Sequence, residues 1–62
     1  MQDYKVKVQD NTQKCVHTLT EQATSPNEAN AQALKYLKKH IGNNDYEIKS
    51  CSELYKKYTY QN

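Results

Sequence analysis

The chain of 62 residues contains no arginine, no tryptophan and no phenylalanine, and it has only one glycine and one proline. All nine basic residues are therefore lysines, and the formal net charge at neutral pH is +2. Bidentate recognition of guanine edges is mainly arginine chemistry, whereas lysine offers a point charge. The composition thus argues against sequence-specific recognition of DNA.

Hydrophobic residues make up only 35% of the chain, and six tyrosines must supply all of the bulky aromatic packing. At this length, the burial of apolar surface only narrowly offsets the entropy lost on ordering the chain. We therefore expect one small domain over residues 1–62, of modest stability. A homodimer that shares core across an interface is an open alternative.

The sequence has no apolar run near the roughly 20 residues that span a bilayer, and it begins Met1-Gln2-Asp3 without a basic and then apolar leader. We expect a cytoplasmic protein with no membrane partner. In a reducing cytosol, Cys15 and Cys51 are expected to be free thiols that pack as small hydrophobic residues. A disulfide between neighbouring strands is the alternative that the sequence leaves open.

The first part of the chain predicts a β-hairpin. Residues Tyr4 to Gln9 alternate between apolar and polar, as in a strand with one face on a core. The inward residues are Tyr4, Val6 and Val8. A turn over Asp10 to Thr12 leads into a returning strand over Lys14 to Thr24. Val16 and Leu19 are three residues apart, so a bulge between them is needed for both to face inward.

A helix with clear start and stop signals follows. Ser25 is predicted as the N-cap, Pro26 as the first helical residue and Glu28 as the capping-box partner. The apolar stripe consists of Ala29, Ala33, Leu34, Leu37 and Ile41. Basic residues in Lys38 to His40 complement the helix dipole, and Gly42 ends the helix.

After the helix, Asn43 to Asp45 is predicted as a polar turn. Tyr46 to Ser50 then alternates again and predicts a third strand. Its inward residues are Tyr46 and Ile48. A loop is predicted at Cys51 to Glu53, and Leu54 to Tyr60 is predicted as a fourth strand because tyrosine and threonine favour strands. A helical turn in Ser52 to Lys57 is the alternative. The fold class is α+β, in two layers, with one helix on a mainly antiparallel sheet of three or four strands.

One helix can cover only one face of such a sheet, so the other face is left to water or to a partner. We predict a protein-binding surface there, with lysines at its rim and tyrosines of the last strand as anchors. The predicted binding residues are Lys5, Lys7, Lys49, Tyr55, Tyr58 and Tyr60. The alternative is weak, sequence-tolerant binding of single-stranded nucleic acid by the same surface.

No motif for catalysis, a metal or a cofactor is evident. The residue types of a zinc site are present in Cys15, His17, His40 and Cys51. Structural zinc sites usually use two closely spaced ligand pairs, and this chain has one pair and two isolated residues. A cysteine nucleophile would need a histidine and a third orienting group, and no local motif supports Asp3 or Asp45 in that role. We therefore expect a non-catalytic protein without a metal or cofactor.

The segment Glu21 to Ala29, followed by Ala33-Leu34 and later by Asp45 to Ile48, resembles a loose group of small phage and prophage proteins. In that group a hairpin runs into a Ser-Pro-x-Glu-Ala helix start and a strand returns afterwards. Some anti-CRISPR proteins that bind type I surveillance complexes have a similar β-β-α-β-β layout. The resemblance implies stoichiometric inhibition of a nucleic-acid-binding complex, with exposed lysines and tyrosines as contacts, and it assigns no role to any single residue.

Overall fold

The computed structural model describes residues 1–54, in which three strands and one helix follow one another. The elements are β1 (Gln2–Asp10), β2 (Cys15–Ala23), α1 (Pro26–His40) and β3 (Tyr46–Leu54). The strand order is β2-β1-β3, and both pairs are antiparallel. The predicted α+β fold, with one helix on an antiparallel sheet, is confirmed. The fourth strand was predicted over Leu54 to Tyr60; Leu54 is instead the last residue of β3, and the rest of that segment lies outside the described residues.

Strand β1, in which apolar and polar residues alternate regularly, lies at the centre of the sheet. Val6 and Val8 have no exposed surface, and Tyr4 is 7% exposed. The predicted inward positions of this strand are confirmed. Since β1 is paired along both edges, its backbone hydrogen bonds are satisfied from two sides.

The bulge predicted in β2 is wrong. Pairing between β1 and β2 continues without interruption from Gln2 opposite Ala23 to Asp10 opposite Cys15. In this register Leu19 packs against the core, whereas Val16 faces away and is 53% exposed. One exposed valine is ordinary on a protein surface, and it leaves the hydrogen-bond ladder intact.

A bulge does occur in β3. Lys7 pairs with Ser50 and Val8 pairs with Ile48, so Lys49 is the extra residue on that strand. The extra residue allows Ile48 and Cys51, which are three apart, to pack against the same core.

Strand β3 therefore continues past the point where the alternation in the sequence stops. It runs to Leu54, so the loop predicted at Cys51 to Glu53 is wrong. The alternative of a helical turn is also wrong for Ser52 to Leu54, because these residues pair with β1.

Helix α1 begins as predicted at Pro26, with Ser25 as its N-cap. The Ser25 Oγ accepts a hydrogen bond of 3.2 Å from the Glu28 N–H. The Glu28 carboxylate, however, accepts from the N–H and the hydroxyl of Thr24, at 2.6 and 2.8 Å. The capping partner therefore reaches one residue before the N-cap and ties the end of β2 to the helix start.

Helix α1 ends at His40, and the Ile41 and Gly42 N–H groups both donate to the Leu37 carbonyl, at 2.8 and 3.1 Å. Gly42 has a φ of +142°, a conformation that favours glycine. Ile41 is 41% exposed, so the predicted apolar stripe ends at Leu37 instead. In the part of the chain that the structure describes, no helix has the length and apolar character needed to cross a bilayer.

The core lies between α1 and one face of the sheet. Its buried residues are Tyr4, Val6, Val8, Ala23, Ala29, Ala33 and Leu37. Leu19, Leu34, Tyr46, Ile48 and Cys51 pack around it. Two alanines on the helix let its backbone lie close to the central strand, and Leu37 fills the wider space near the helix end.

We expect Leu37→Ala to lower the free energy of unfolding by about 2–4 kcal/mol, because it removes a buried side chain and leaves a cavity. The measurement is urea denaturation followed by circular dichroism. Lys38→Ala is the matched control: it alters the next residue of the same helix, which is exposed, and should change stability by less than about 0.5 kcal/mol. Equal effects of the two substitutions would contradict the described packing of α1.

Candidate functional site

The face of the sheet that turns away from α1 is not covered by any element among residues 1–54. Its central strand presents Lys5 and Lys7, both exposed. Each lysine has a hydroxyl residue directly opposite on either side. These neighbours are Thr20 and Ser52 for Lys5, and Thr18 and Ser50 for Lys7. The result is two rows in which an ammonium group is flanked by hydroxyl groups, and we call this surface the lysine face.

The third predicted lysine, Lys49, is exposed on β3 at the bulge beside Lys7. Its Nζ lies 3.5 Å from the Glu47 Oε2, so its charge is partly compensated. Neither Lys5 nor Lys7 has a salt-bridge partner within residues 1–54. The structure thus brings the three predicted lysines to one region, and Lys5 and Lys7 carry its uncompensated charge. The predicted anchors Tyr55, Tyr58 and Tyr60 lie outside the described residues.

Within the described part of the sheet, aromatic rings lie on the side of the helix. Tyr4 is in the core, and Tyr46 packs against it. The Tyr46 hydroxyl donates to the Gly42 carbonyl at 2.7 Å. Burial raises the pKa of both tyrosines, with nearby negative charge adding to the effect. Residues 1–54 therefore give the lysine face no ring on which a base could stack.

A second candidate site surrounds Asp10, at the end of β1. Asp10 continues the inward alternation of the strand, two residues after Val8, and it has no exposed surface. It is the one charged residue in the core of the described chain. Burial of an ionised carboxylate is costly unless its oxygens are hydrogen-bonded, so the surroundings of Asp10 decide whether this end of the sheet is stable.

Four donors converge on the Asp10 carboxylate. Its Oδ1 accepts from the backbone N–H groups of Thr12 and Gln13, at 3.0 and 2.9 Å. Its Oδ2 accepts from the Asn44 Nδ2 at 3.0 Å and lies 3.0 Å from the His17 Nε2. The carboxylate therefore joins the β1–β2 turn, strand β2 and the loop before β3.

Two further contacts hold the same loops together. The Asn11 N–H donates to the Asp45 carbonyl at 2.8 Å, and the Asp45 N–H donates to the Thr12 hydroxyl at 2.9 Å. The polar turn residues predicted from the sequence thus bind each other across 33 positions of the chain.

The hydrogen bonds decide the ionisation of Asp10. Burial alone would raise the pKa of this carboxyl group. The donors on Gln13, His17, Asn44 and Thr12 outweigh burial and lower the pKa from 3.8 to about 2. Asp10 is therefore an anion near neutral pH, held inside the fold by fixed donors.

Cys15 and His17 lie beside this anion, since Cys15 pairs directly with Asp10 and His17 is two residues further along β2. The Cys15 Sγ is 3.7 Å from the His17 Nε2, the same nitrogen that faces Asp10. A nucleophilic triad needs the base to face the nucleophile with one ring nitrogen and the carboxylate with the other. Here the Cys15 Sγ and the Asp10 Oδ2 both face the same ring nitrogen of His17, so these residues do not have the geometry of a triad.

The other residues considered for such a site are elsewhere. His40 stacks on Tyr36, with ring centroids 4.3 Å apart, and the Cys51 Sγ is 3.8 Å from the Pro26 carbonyl. The aspartate beside His17 is Asp10, and not Asp3 or Asp45.

The disulfide alternative is also excluded. Cys15 and Cys51 are both free, and β1 lies between their strands. Two strands separated by a third are about 9–10 Å apart, and a disulfide requires Cα atoms within about 7 Å.

Sequence reasoning missed Asp10 and Asn44 because both were assigned to polar turns. For Asp10 a signal was present: positions 4, 6, 8 and 10 share one phase of the strand, so a carboxylate in that phase faces inward. For Asn44 no such signal exists, since its role depends on where the loop before β3 is placed.

The comparisons with known proteins add no relative. The chain has no significant match among protein-family models, curated proteins or solved structures.

We expect the Asp10 carboxylate to produce a steep loss of stability in acid. Its pKa is lower in the folded chain than in the unfolded chain, so its contribution is complete above about pH 4 and is lost as the pH falls to about 2. Asp10→Asn should reduce the free energy of unfolding near neutral pH and flatten its decline over that interval. The measurement is urea denaturation at a series of pH values.

Glu53→Gln serves as the control, because it removes a carboxylate from an exposed position on β3. The free energy of unfolding of this variant should still decline steeply in acid, as in the unaltered protein. If the free energy of unfolding of Asp10→Asn declines in acid as steeply as that of the unaltered protein, other groups account for the acid sensitivity. Glu28 is one such group, because hydrogen bonds from Thr24 lower its pKa.

Proposed function

We propose that this protein is a small, non-catalytic binding module of the cytoplasm that docks a protein partner on the lysine face. The observation that supports the proposal is a pair of ammonium groups, Lys5 and Lys7, that have no salt-bridge partner within residues 1–54 and lie in the middle of the sheet face that turns away from α1. The partner surface that complements them is acidic, because attraction between opposite charges both steers association and selects against wrong partners.

The chemistry of the face supports contact with carboxylates. Successive outward residues of a strand are about 6.6–6.8 Å apart along the chain, which suits two separate acidic side chains. The hydroxyl groups of Thr18 and Ser50, on either side of Lys7, can each donate a further hydrogen bond to such an oxygen. Such charge-assisted contacts provide orientation, and the tyrosines predicted as anchors would supply apolar area.

A protein partner is favoured over single-stranded nucleic acid by the position of the aromatic rings. Sequence-tolerant binding of single strands depends on bases stacking on exposed rings beside basic groups. Tyr4 and Tyr46 pack on the helix side of the sheet, so the lysine face offers charge without stacking over residues 1–54. The absence of arginine from the sequence points in the same direction.

The resemblance to small phage proteins adds a mode of action to the proposal. A module without a catalytic constellation acts by occupying its partner, so the activity would be stoichiometric inhibition or recruitment. Within this proposal, a subunit of an anti-phage nucleoprotein complex is the partner class that the resemblance implies.

We expect Lys5→Glu/Lys7→Glu to reduce capture of the partner from a host extract at least tenfold, because both central charges are reversed. The matched control is Lys35→Glu/Lys38→Glu, which makes the same change in net charge on exposed positions of α1. The control should capture as much as the unaltered protein. Carbodiimide cross-linking, which joins carboxylates to lysines, should attach the captured protein at Lys5 or Lys7.

Equal losses in the two double variants would contradict the proposal, because net charge and not the lysine face would then control binding. A gel shift of a single-stranded oligonucleotide, with affinity falling linearly on a log-log salt plot and abolished by Lys5→Glu/Lys7→Glu, would favour the nucleic-acid alternative. Circular dichroism of both double variants establishes that the comparison is between folded proteins.

A further inference from the structure

Three potential metal ligands of different chemistry meet at the hairpin end of the sheet. A carboxylate oxygen of Asp10, the Cys15 Sγ and a ring nitrogen of His17 all lie within 4.8 Å of one another. The His17 nitrogen is 3.0 Å from the carboxylate oxygen and 3.7 Å from the sulfur. Ligand atoms around a tetrahedral zinc ion are about 3.4–3.6 Å apart, given the usual zinc to ligand distances. The cluster therefore approaches this geometry before any ion is bound.

The carboxylate ligand is held in place independently of the other two. If a metal replaces the hydrogen bond to His17, the other three hydrogen bonds of the carboxylate remain. Its Oδ1 still accepts from the N–H groups of Thr12 and Gln13, and its Oδ2 still accepts from the Asn44 amide. Partners of this kind orient a ligand and raise its affinity for the ion. The Asp10 carboxylate is therefore already buried in the folded chain, and ion binding does not have to supply the free energy of that burial.

The two remaining ligands are accessible and come from one short stretch of β2. His17 is partly exposed, with 20% of its side-chain surface open, and Cys15 is exposed. The sulfur and the imidazole are therefore the groups that an ion from solution meets first, since Asp10 has no exposed surface.

We propose that Asp10, Cys15 and His17 form a binding site for a borderline divalent cation, with Zn²⁺ as the representative ion. A thiolate, an imidazole and a carboxylate together match the ligand preferences of zinc, whereas magnesium and calcium take oxygen ligands. When the ion binds, the Cys15 thiol releases its proton to solvent and the His17 ring carries its proton on Nδ1, so that Nε2, which donates to Asp10 in the free chain, offers a lone pair to the ion. A fourth position remains for water. The ion would join the last residue of β1 to β2, opposite the end of the sheet that Thr24 and Glu28 tie to the helix.

The site differs from the one that the sequence spacing argued against. That set combined Cys15 and His17 with His40 and Cys51, which the fold places elsewhere. Folding replaces those two residues with Asp10, which is brought opposite Cys15 by the hairpin register.

The test is a titration of the untagged, reduced full chain with Co²⁺ and then with Zn²⁺. We expect one Co²⁺ per chain, a near-ultraviolet band from charge transfer between the thiolate and cobalt, and visible bands of tetrahedral intensity. Zn²⁺ should remove both sets of bands and raise the midpoint of thermal unfolding, since it binds the folded chain preferentially.

Matched variants identify the ligands. Cys15→Ser should abolish the charge-transfer band, whereas Cys51→Ser, the other thiol of the chain, should leave it unchanged. His17→Gln should weaken Zn²⁺ binding at least tenfold, as measured by competition with a chromophoric chelator. His17→Gln leaves Asp10 and its other three donors in place, so this test does not depend on whether Asp10→Asn folds.

Four results would overturn the proposal. The first is a charge-transfer band of equal intensity in Cys15→Ser, and the second is an unaltered Zn²⁺ affinity in His17→Gln. The third is binding of one ion per two chains with formation of a dimer, which would show that the ligands come from different molecules. Absence of stoichiometric binding at millimolar Zn²⁺ would have the same consequence.

Discussion

The structure depends on the close contact between the small-residue face of α1 and the central strand. Ala29 and Ala33 are fully buried, as are Val6 and Val8 on β1. Short side chains on the helix permit close approach, and close approach makes a small number of apolar residues sufficient to exclude water. In a chain with so few hydrophobic residues, this contact fixes which strand is central and which face of the sheet is covered. The opposite face is left with side chains that water can solvate.

The two ends of this contact are closed by polar groups, and the chemistry of the two ends differs. At the start of α1, an exposed glutamate holds the end of β2 by accepting two hydrogen bonds from Thr24. At the far end, a fully buried aspartate takes four donors from three segments of the chain. Loss of one donor at the exposed end is compensated by water. At the buried end it is not, so the Asp10 cluster is the more sensitive of the two.

Much of the fold follows from local patterns. Three features were predictable because each depends on residues that are close together in the sequence. They are the strand over Tyr4 to Gln9, the N-cap at Ser25 and the helix end near Gly42. The predicted bulge shows the limit. Two strands each contain apolar residues three apart, Val16 with Leu19 in β2 and Ile48 with Cys51 in β3. Only the second pair is accommodated by an extra residue. The choice depends on pairing with β1, which the separate segments do not contain.

The sequence by itself determined the fold class, the inward phase of β1, the limits of the helix to within a residue, and the placement of Lys5 and Lys7 on the face of the sheet that turns away from α1. Those features follow from periodicity, capping and the number of helices available to cover a sheet. Only the tertiary structure decided that Asp10 is buried, that Cys15 and His17 lie beside it, and that Asn44 comes back across the chain to hold it. The physical reason is that a strand pattern reports which way a side chain points, whereas the groups it meets are set by register and loop closure.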